Sequence, residues 1–570
     1  MNEILPNLQS LDLDTNAISS VDKLAGVPLL SKLVISRNKI LFDVSSINHL
    51  TSLETLDLSH TELFGADKLS ISNIKNLSVS NVDSKLLLKF PNLENLKIIG
   101  KVNFAELKAL TKIKTIEVYN CQQLVGLNAL KDFPSLKKLS FTSVSFAEDE
   151  SLPLISGLEH LEISSGSIVD FTALERSSSL KEIFLSLDSK GDYDLDSSLV
   201  PEISSLKKLT ILTSYKENLG ILIRFPDLEY LDLGGSLNSI ERLPYLSKLK
   251  EINLNTNSVI SLAPLANTPN LTKLIIKDNQ DWSVFESLPN LLKLQEFNGI
   301  SISEANEEKM KIFERLPMLE VLRISIDSNS GKFPGQLPLT IRDLSFETKS
   351  ISDLSFLSNL HKMKSLEIRT QADMDIQNFS LPMITSLGIS ATTKNYFNLP
   401  KFPNVTQLSL NLTDSSEVIS DLSRIDVRNI FTAVKELKIS GPLLQAPFYT
   451  SPGIETLVEQ VDSTDFLKFP KMESIKSLIS GRGASLRSFK GIENFPNLEK
   501  ITTSGSTQVS NLTELLGLKK LAFFDFPRYH RSKYLGNACP ENGENIPLGL
   551  KNYCYDLSTG FAVALGPNPL

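Results

Sequence analysis

Cys539 and Cys554 are the two side chains of this 570-residue chain whose spacing most directly supports covalent chemistry. They enclose a loop with Pro540, Gly543 and Pro547, and a disulfide closing it would contribute about 3 kcal/mol in the chain-entropy view. With three cysteines in all, the pair also reads as two reduced thiols of a cytosolic protein. Adding His530 does not make a zinc site, because the close CxxC or HxxxH pairing is missing. Asp192, Asp194 and Asp196 alternate as the first ligands of a calcium loop do, yet no Gly stands sixth and no Glu twelfth. That run reads as a solvated loop. The five histidines, His49, His60, His160, His361 and His530, show no ligand spacing, and Gly481-Arg482-Gly483 is an isolated loop pair. No GxSxG elbow, P-loop or GxGxxG is present. These residues predict no catalytic centre, no metal site and no cofactor.

What positions every other side chain is a three-beat pattern: an apolar residue, another three positions on, and a third two positions after that. It recurs about two dozen times, from Leu8, Leu11, Leu13 through Leu136, Leu139, Phe141 to a last beat at Leu518, Leu521, Phe523. The mean step is about 22 residues, within the range of repeats that stack into solenoids. Two steps are longer, after the beats that start at Leu180 and Val405, where the next beats are read as starting at Leu209 and Val434.

Within a beat the last two apolar residues have period two, so they point to one face of a short strand and the residue between them to the other. A second apolar cluster, such as Ile18, Val21, Leu24 or Ile260, Leu262, Leu265, belongs to the segment that carries the chain back. One unit alone cannot bury both sets, whereas stacked neighbours seal a continuous core. Strands are about 4.7 to 4.9 Å apart and the returns are bulkier, so the stack should curve with its strands on the concave side. Asn16, Asn38, Asn257 and Asn279 each follow a last beat residue by three positions, where an inward amide can bond the backbones of adjacent turns. Cys121 occupies the same slot as a small buried thiol, while Gly166, Ser236, Thr413 and Pro442 depart from it. An aromatic-proline step precedes several beats, at Phe90-Pro91, Phe133-Pro134, Phe225-Pro226, Phe402-Pro403, Phe469-Pro470 and Phe495-Pro496. Proline fixes φ there and biases its predecessor to an extended form, which suits the corner into the strand.

The pattern LxxLxLxxNxI with a compact apolar return resembles the leucine-rich repeat family, nearest its 22-residue internalin-like class, over about nine-tenths of the chain. The resemblance implies an α/β repeat solenoid with a parallel sheet on its concave face and short helical or irregular returns on its convex face. It also implies a non-enzymatic module that presents the concave face to a protein ligand. The alternative is a structural or assembly component of a larger complex, docking through its edges or convex loops. Cys554-Tyr555-Asp556 resembles the CxD of bacterial leucine-rich-repeat ubiquitin ligases, but the large helical domain those enzymes need is not in this sequence.

On that fold, the residues before, between and after the strand leucines line the concave face. The middle column includes Glu117, Glu162, Phe184, Thr213, Asp232 and Ile275, and the flanking columns add Tyr119, His160, Ile211, Tyr215 and Tyr230. Tyrosine buries a large area while keeping a polar tip wet, so it suits interfaces. The expected contact patch is Tyr119, His160, Phe184, Tyr215, Tyr230 and Ile275, with Glu117, Glu162 and Asp232 as a polar rim.

Residues 1–523 read as the repeat array and 524–570 as a C-terminal cap and tail, with Phe523, Phe524, Phe526, Tyr529 and Tyr534 covering the end of the stack. Lys plus Arg total 58 against 66 Asp plus Glu, a net charge of −8 with no basic stripe of the kind nucleic acid needs. No apolar run reaches membrane-spanning length, and no secretory signal opens the chain. The array starts at Leu8 with no N-terminal cap ahead of it and the chain stops in Gly-Pro-Asn-Pro-Leu, so the sequence reads as a processed piece of a longer protein. The compartment is not fixed by the sequence, the Cys539–Cys554 pair favouring an extracytoplasmic, secreted or cell-surface home over the cytoplasm. Thiol titration of the denatured, unreduced protein should count one free thiol, that of Cys121; three would remove the bridge and with it the case for an extracytoplasmic home.

Overall fold

A computed structural model describes residues 8–15, 20–22, 24, 27–38, 40–41, 44–63, 68–147, 150–165, 170, 172–187, 200–212, 219–234, 239–254, 259–277, 281–372, 381–391, 401–412, 432–440, 453–460, 466, 471–480, 488–503 and 513–525. They fall into two compact units. The first runs through Lys277 and takes in Ser287–Leu291, and the second holds Asp278–Glu286 and the chain from Leu292 onward. The repeated beats supply 24 ladder strands among the described residues. Those of the first unit run from Ser10–Asp12 to Lys273–Ile276, those of the second from Glu296–Ile302 to Phe523–Asp525. This is a leucine-rich-repeat solenoid.

Each strand lies parallel to the next with beat residue on beat residue, Leu11 on Leu33, Leu33 on Leu56 and Leu56 on Leu77. Period-two alternation buries the second and third beat residues and leaves the one between them half-exposed, as in Thr115–Tyr119. The first beat residue is buried too, because the chain turns into the strand there: Leu30, Leu53, Leu136 and Leu228 have no exposed surface.

The aromatic-proline step makes that turn. The amides of Leu93, Leu136, Leu228 and Leu498 donate to the carbonyls of Phe90, Phe133, Phe225 and Phe495, so each Phe-Pro-x-Leu is a four-residue turn with proline at the position whose φ it presets. The phenylalanines point inward and are buried, as is Phe402. The residue after the proline has a second use. Asn92 donates to the carbonyl of Ser72 at 2.8 Å, Asn404 to that of Pro382 at 2.7 Å and Asn497 to that of Glu473 at 2.7 Å. Asn73 and Asn270 bond the preceding repeat in the same way. This amide ladder at the start of the strands is absent from the sequence reading, which looked for amides only at the other end.

At that other end the described member, Asn38, is fully buried and its amide donates to the carbonyls of Leu13, Ile35 and Ser36 at 3.0, 2.9 and 3.2 Å. One repeat on, Thr61 takes the slot and its hydroxyl donates to Ile35 O at 3.1 Å. Cys121 is buried with a free thiol. Among the described residues the one just before this slot adopts positive φ in seven repeats, at Gly100 and, with a side chain to accommodate, at Thr15, Arg37, His60, Asn81, Asn120 and Ser143. That conformation is unfavourable for a side chain with a Cβ. It persists because it aims the N–H at the next repeat: Thr15, Arg37, Asn120 and Ser143 donate to Ser36, Ser59, Thr142 and Ser164.

Among the described residues several returns are short 3₁₀ helices of one or two turns, including Phe104–Leu107, Leu127–Asp132 and Leu219–Arg224 in the first unit and Ser355–Asn359 and Thr513–Gly517 in the second. Three residues per turn put positions i and i+3 on one face, and Leu127 with Leu130 or Leu219 with Leu222 are the buried pairs that result. No helix among the described residues is long and apolar enough to cross a membrane.

Two beats differ from the sequence reading by three positions. Leu209 pairs with Ile183 and Leu231, so the tenth beat is Leu206, Leu209, Ile211 and its middle residue is Thr210. Ile211 is therefore core, 5% exposed, and not a residue of the outer strand face. The last strand pairs Phe524 with Ile501, which makes Leu521 the start of that beat and leaves Phe523 39% exposed in a flanking column. A locally apolar stretch such as LKKLTILTSY offers two overlapping beats, and only pairing with its neighbours decides between them. Asn16, Asn257, Asn279, Gly166, Ser236, Thr413, Pro442, Thr213, Tyr215, Phe469, the Asp192 to Asp196 run, Gly481 to Gly483, Phe526, Tyr529, His530, Tyr534, Cys539 and Cys554 lie outside the described residues.

Asn38→Ala removes three donated hydrogen bonds from buried backbone. It should lower unfolding free energy by about 1–3 kcal/mol in denaturant melts, and a change below a few tenths would show that the slot is not a structural ladder position.

Candidate protein-binding face

Parallel pairing lines up the outward side chains of the first unit's strands in rows. One row runs Lys138, His160, Glu182, Lys208, Tyr230, Glu251, Lys273, each beside the next. The middle row runs Glu117, Ser140, Glu162, Phe184, Thr210, Asp232, Asn253, Ile275. Tyr119 stands in the third row, two residues beyond Glu117 on the same face. All of the patch residues that the structure describes, Tyr119, His160, Phe184, Tyr230, Ile275, Glu117, Glu162 and Asp232, are half-exposed on this face.

The rows bring these residues into two clusters. In one, the Tyr119 hydroxyl donates to Glu117 Oε2 at 3.3 Å, Lys138 Nζ reaches Glu117 Oε1 at 3.1 Å, and Lys97 Nζ sits 4.6 Å from the centre of the Tyr119 ring. In the other, the Tyr230 hydroxyl donates to Asp232 Oδ2 at 3.3 Å, Asn253 donates to the same oxygen at 3.1 Å, and Lys208 Nζ lies 5.2 Å from the ring of Tyr230. Lys208 also pairs with Glu182, whose second oxygen is 3.0 Å from His160 Nδ1. The same tyrosine, carboxylate and lysine arrangement is built twice. Phe184 lies between the clusters, flanked in its row by Glu162 and Thr210. Among the described residues the Glu162 carboxylate makes no hydrogen bond or ion pair. Ile275 stands at the end of the row, four strands or about 19 Å from Phe184, and is not part of either cluster.

Burial shapes the electrostatics. It is the main cause that pushes both phenols up, Tyr119 to about 12 with help from Glu117, and Tyr230 to about 12 with help from Asp232 and Glu251. Burial also raises Asp232, against the hydrogen bonds from Asn253 and Tyr230. At Glu182 burial pulls upward, but the hydrogen bonds and charges of Lys208 and His160 together win and its pKa is lowered. Apart from Glu162, the tyrosines, carboxylates and lysines named here each have a partner on the face. Sequence reasoning placed Lys97 and Asn253 in the middle column but left them out of the patch, and it missed Lys138, Glu182 and Lys208, which reading the flanking column together with the middle one would have placed beside patch residues.

The comparisons agree with the fold. A putative disease resistance protein of Arabidopsis thaliana is 25% identical over 455 residues, 76% of this chain and 35% of that protein. The adenylate cyclase of Schizosaccharomyces pombe is 23% identical over 496 residues, 79% of this chain and 27% of the cyclase. The chain thus spans about a third or less of the length of these relatives. The solved structure of a TLR13-ssRNA13 complex superposes with a TM-score of 0.52 at 16% identity, covering 90% of this chain and 84% of the other. No family model matches the chain.

Because both phenol pKa values are raised, the stability they contribute is intact below about pH 10, where a free phenol begins to ionise, and is lost as pH rises toward 12. Ultraviolet titration should show a late phenolate step that the Tyr119→Phe, Tyr230→Phe double variant lacks; an unchanged curve would contradict the burial of these hydroxyls.

Proposed function

We propose that the chain is a non-enzymatic protein-binding module whose strand face, in the first unit around Tyr119, Phe184 and Tyr230, receives a protein ligand. The observation that carries this reading is the doubled cluster in which each tyrosine is held by a carboxylate and covered by a lysine. Side chains already held in place lose little freedom on binding, and tyrosine is a frequent anchor of interfaces. The rows also argue against nucleic acid. The lysines of the rows, Lys138, Lys208 and Lys273, are each paired with a carboxylate and are outnumbered by Glu117, Glu162, Glu182, Asp232 and Glu251, so the RNA in the TLR13 complex is not carried over to this chain. Nor is the cyclase's activity, which belongs to a protein of which this chain spans 27%.

The step of about 22 residues, the Asn38 slot and the 3₁₀ returns support assignment of the repeats to the internalin-like class. An extracytoplasmic home is part of the same proposal and rests on the Cys539–Cys554 pair. The second reading, an assembly component docked through its returns, is favoured by Ile223, Tyr245 and Ile260, which are 70%, 68% and 69% exposed on return segments of the first unit.

A pull-down comparing the wild type with a Tyr119→Ala, Phe184→Ala, Tyr230→Ala triple variant separates the two. Loss of a captured partner by the triple supports the strand face. An unchanged partner list sinks it and leaves docking through the returns.

A further inference from the structure

The second unit carries an open groove of about 630 Å³ on its return side, between two consecutive return segments. That volume is in the range of ligand clefts, about 300–1,000 Å³. The floor is apolar: Met310, Phe313 and Leu337 line it and are 4%, 5% and 4% exposed. Met310 and Phe313 come from the continuous helical turns Glu307–Met310 and Lys311–Arg315, and Leu337 from the return that follows. Close approach of that second segment depends on Gly335, where a Cβ would lie 2.9 Å from the Cβ of Met310. One lip is Leu339, 60% exposed, whereas most leucines among the described residues are buried.

The rim has a sign. Lys311 pairs with Glu308 at 2.6 Å and also feels the charges of Glu314 and Glu307, so one cation stands against three carboxylates and the rim is acidic on balance. The carboxylates of Glu307 and Glu314 also line the groove and, among the described residues, neither makes a hydrogen bond or a direct ion pair. Glu307 belongs to the first of these helical turns and Glu314 to the second, and both are exposed beside the apolar floor. An occupant must therefore be apolar in its middle and basic at its flanks. A second copy of this chain fits poorly, because its net charge of −8 would bring acid to acid. We infer that this groove docks a segment of a partner protein in which aliphatic side chains are flanked by Lys or Arg. The site is in a different unit from the tyrosine patch and does not depend on it.

The test uses the full chain and three fluorescein-labelled peptides of one length: two leucines flanked by lysine and arginine, the same peptide with serine for leucine, and the same with glutamate for the basic residues. Fluorescence anisotropy should show that the first binds and that each replacement weakens it about tenfold or more, with added salt weakening the first as well. Leu339→Asp and Glu314→Lys should each cost about tenfold or more; both side chains are exposed, and circular dichroism confirms that the fold is kept. The Tyr119→Ala, Phe184→Ala, Tyr230→Ala triple should bind the first peptide like the wild type, so failure of the strand-face reading and failure of this one are told apart. Absence of binding by the first peptide, equal binding of all three, or wild-type affinity in both groove variants would overturn the proposal.

Discussion

Parallel backbone pairing with apolar residue on apolar residue is the constraint on which the rest of this molecule depends. Strands about 4.8 Å apart, stacked in register, turn each repeat position into a row. Inward rows become the leucine core, where each fully buried side chain contributes about 1.5–3 kcal/mol relative to exposure. Outward rows become ordered lines of charge and ring. A slip of one residue would exchange the two, so register is specified with the full weight of the core.

The backbone must then turn out of every strand and back into the next without orphaning its polar groups. Two solutions recur, one at each end. Where strands begin, Phe-Pro-Asn-Leu turns bury a ring, preset a φ and send an amide to the preceding repeat. Where they finish, residues such as Thr15 and His60 accept a left-handed conformation because it aims their N–H groups at the neighbouring turn. The cost of these positions is local, whereas the pairing they allow is repeated along the chain. Among the first column of the strands, Lys137, Glu159 and Lys181 add an alternation of sign that lowers Glu159 to about 2 through its two lysine partners.

Much of this was legible in the beat. The period of about 22 residues determined repeat number, strand direction and core identity, because a short strand buried on one side leaves a pattern of period two that few alternatives share. The beat was ambiguous where apolar residues are dense. At Leu206 to Leu212 and at Leu518 to Phe524 two frames fit the sequence, and pairing with Ile183, Leu231 and Ile501 selects one. The amide row of Asn73, Asn92 and Asn270 was overlooked because asparagine before leucine looks like an ordinary turn residue, and its partner carbonyl is about one repeat away.

By itself, the sequence determined that this chain is a stack of equivalent units and which residues face outward along it, since periodicity is a property of one strand at a time. Only the tertiary structure decided which outward residues meet. Tyr230 needs Lys208 from one neighbour and shares Asp232 with Asn253 from the other, and Met310 meets Gly335 across two returns. Such contacts join residues about one repeat apart, and the lengths of the intervening returns set which pairs come together.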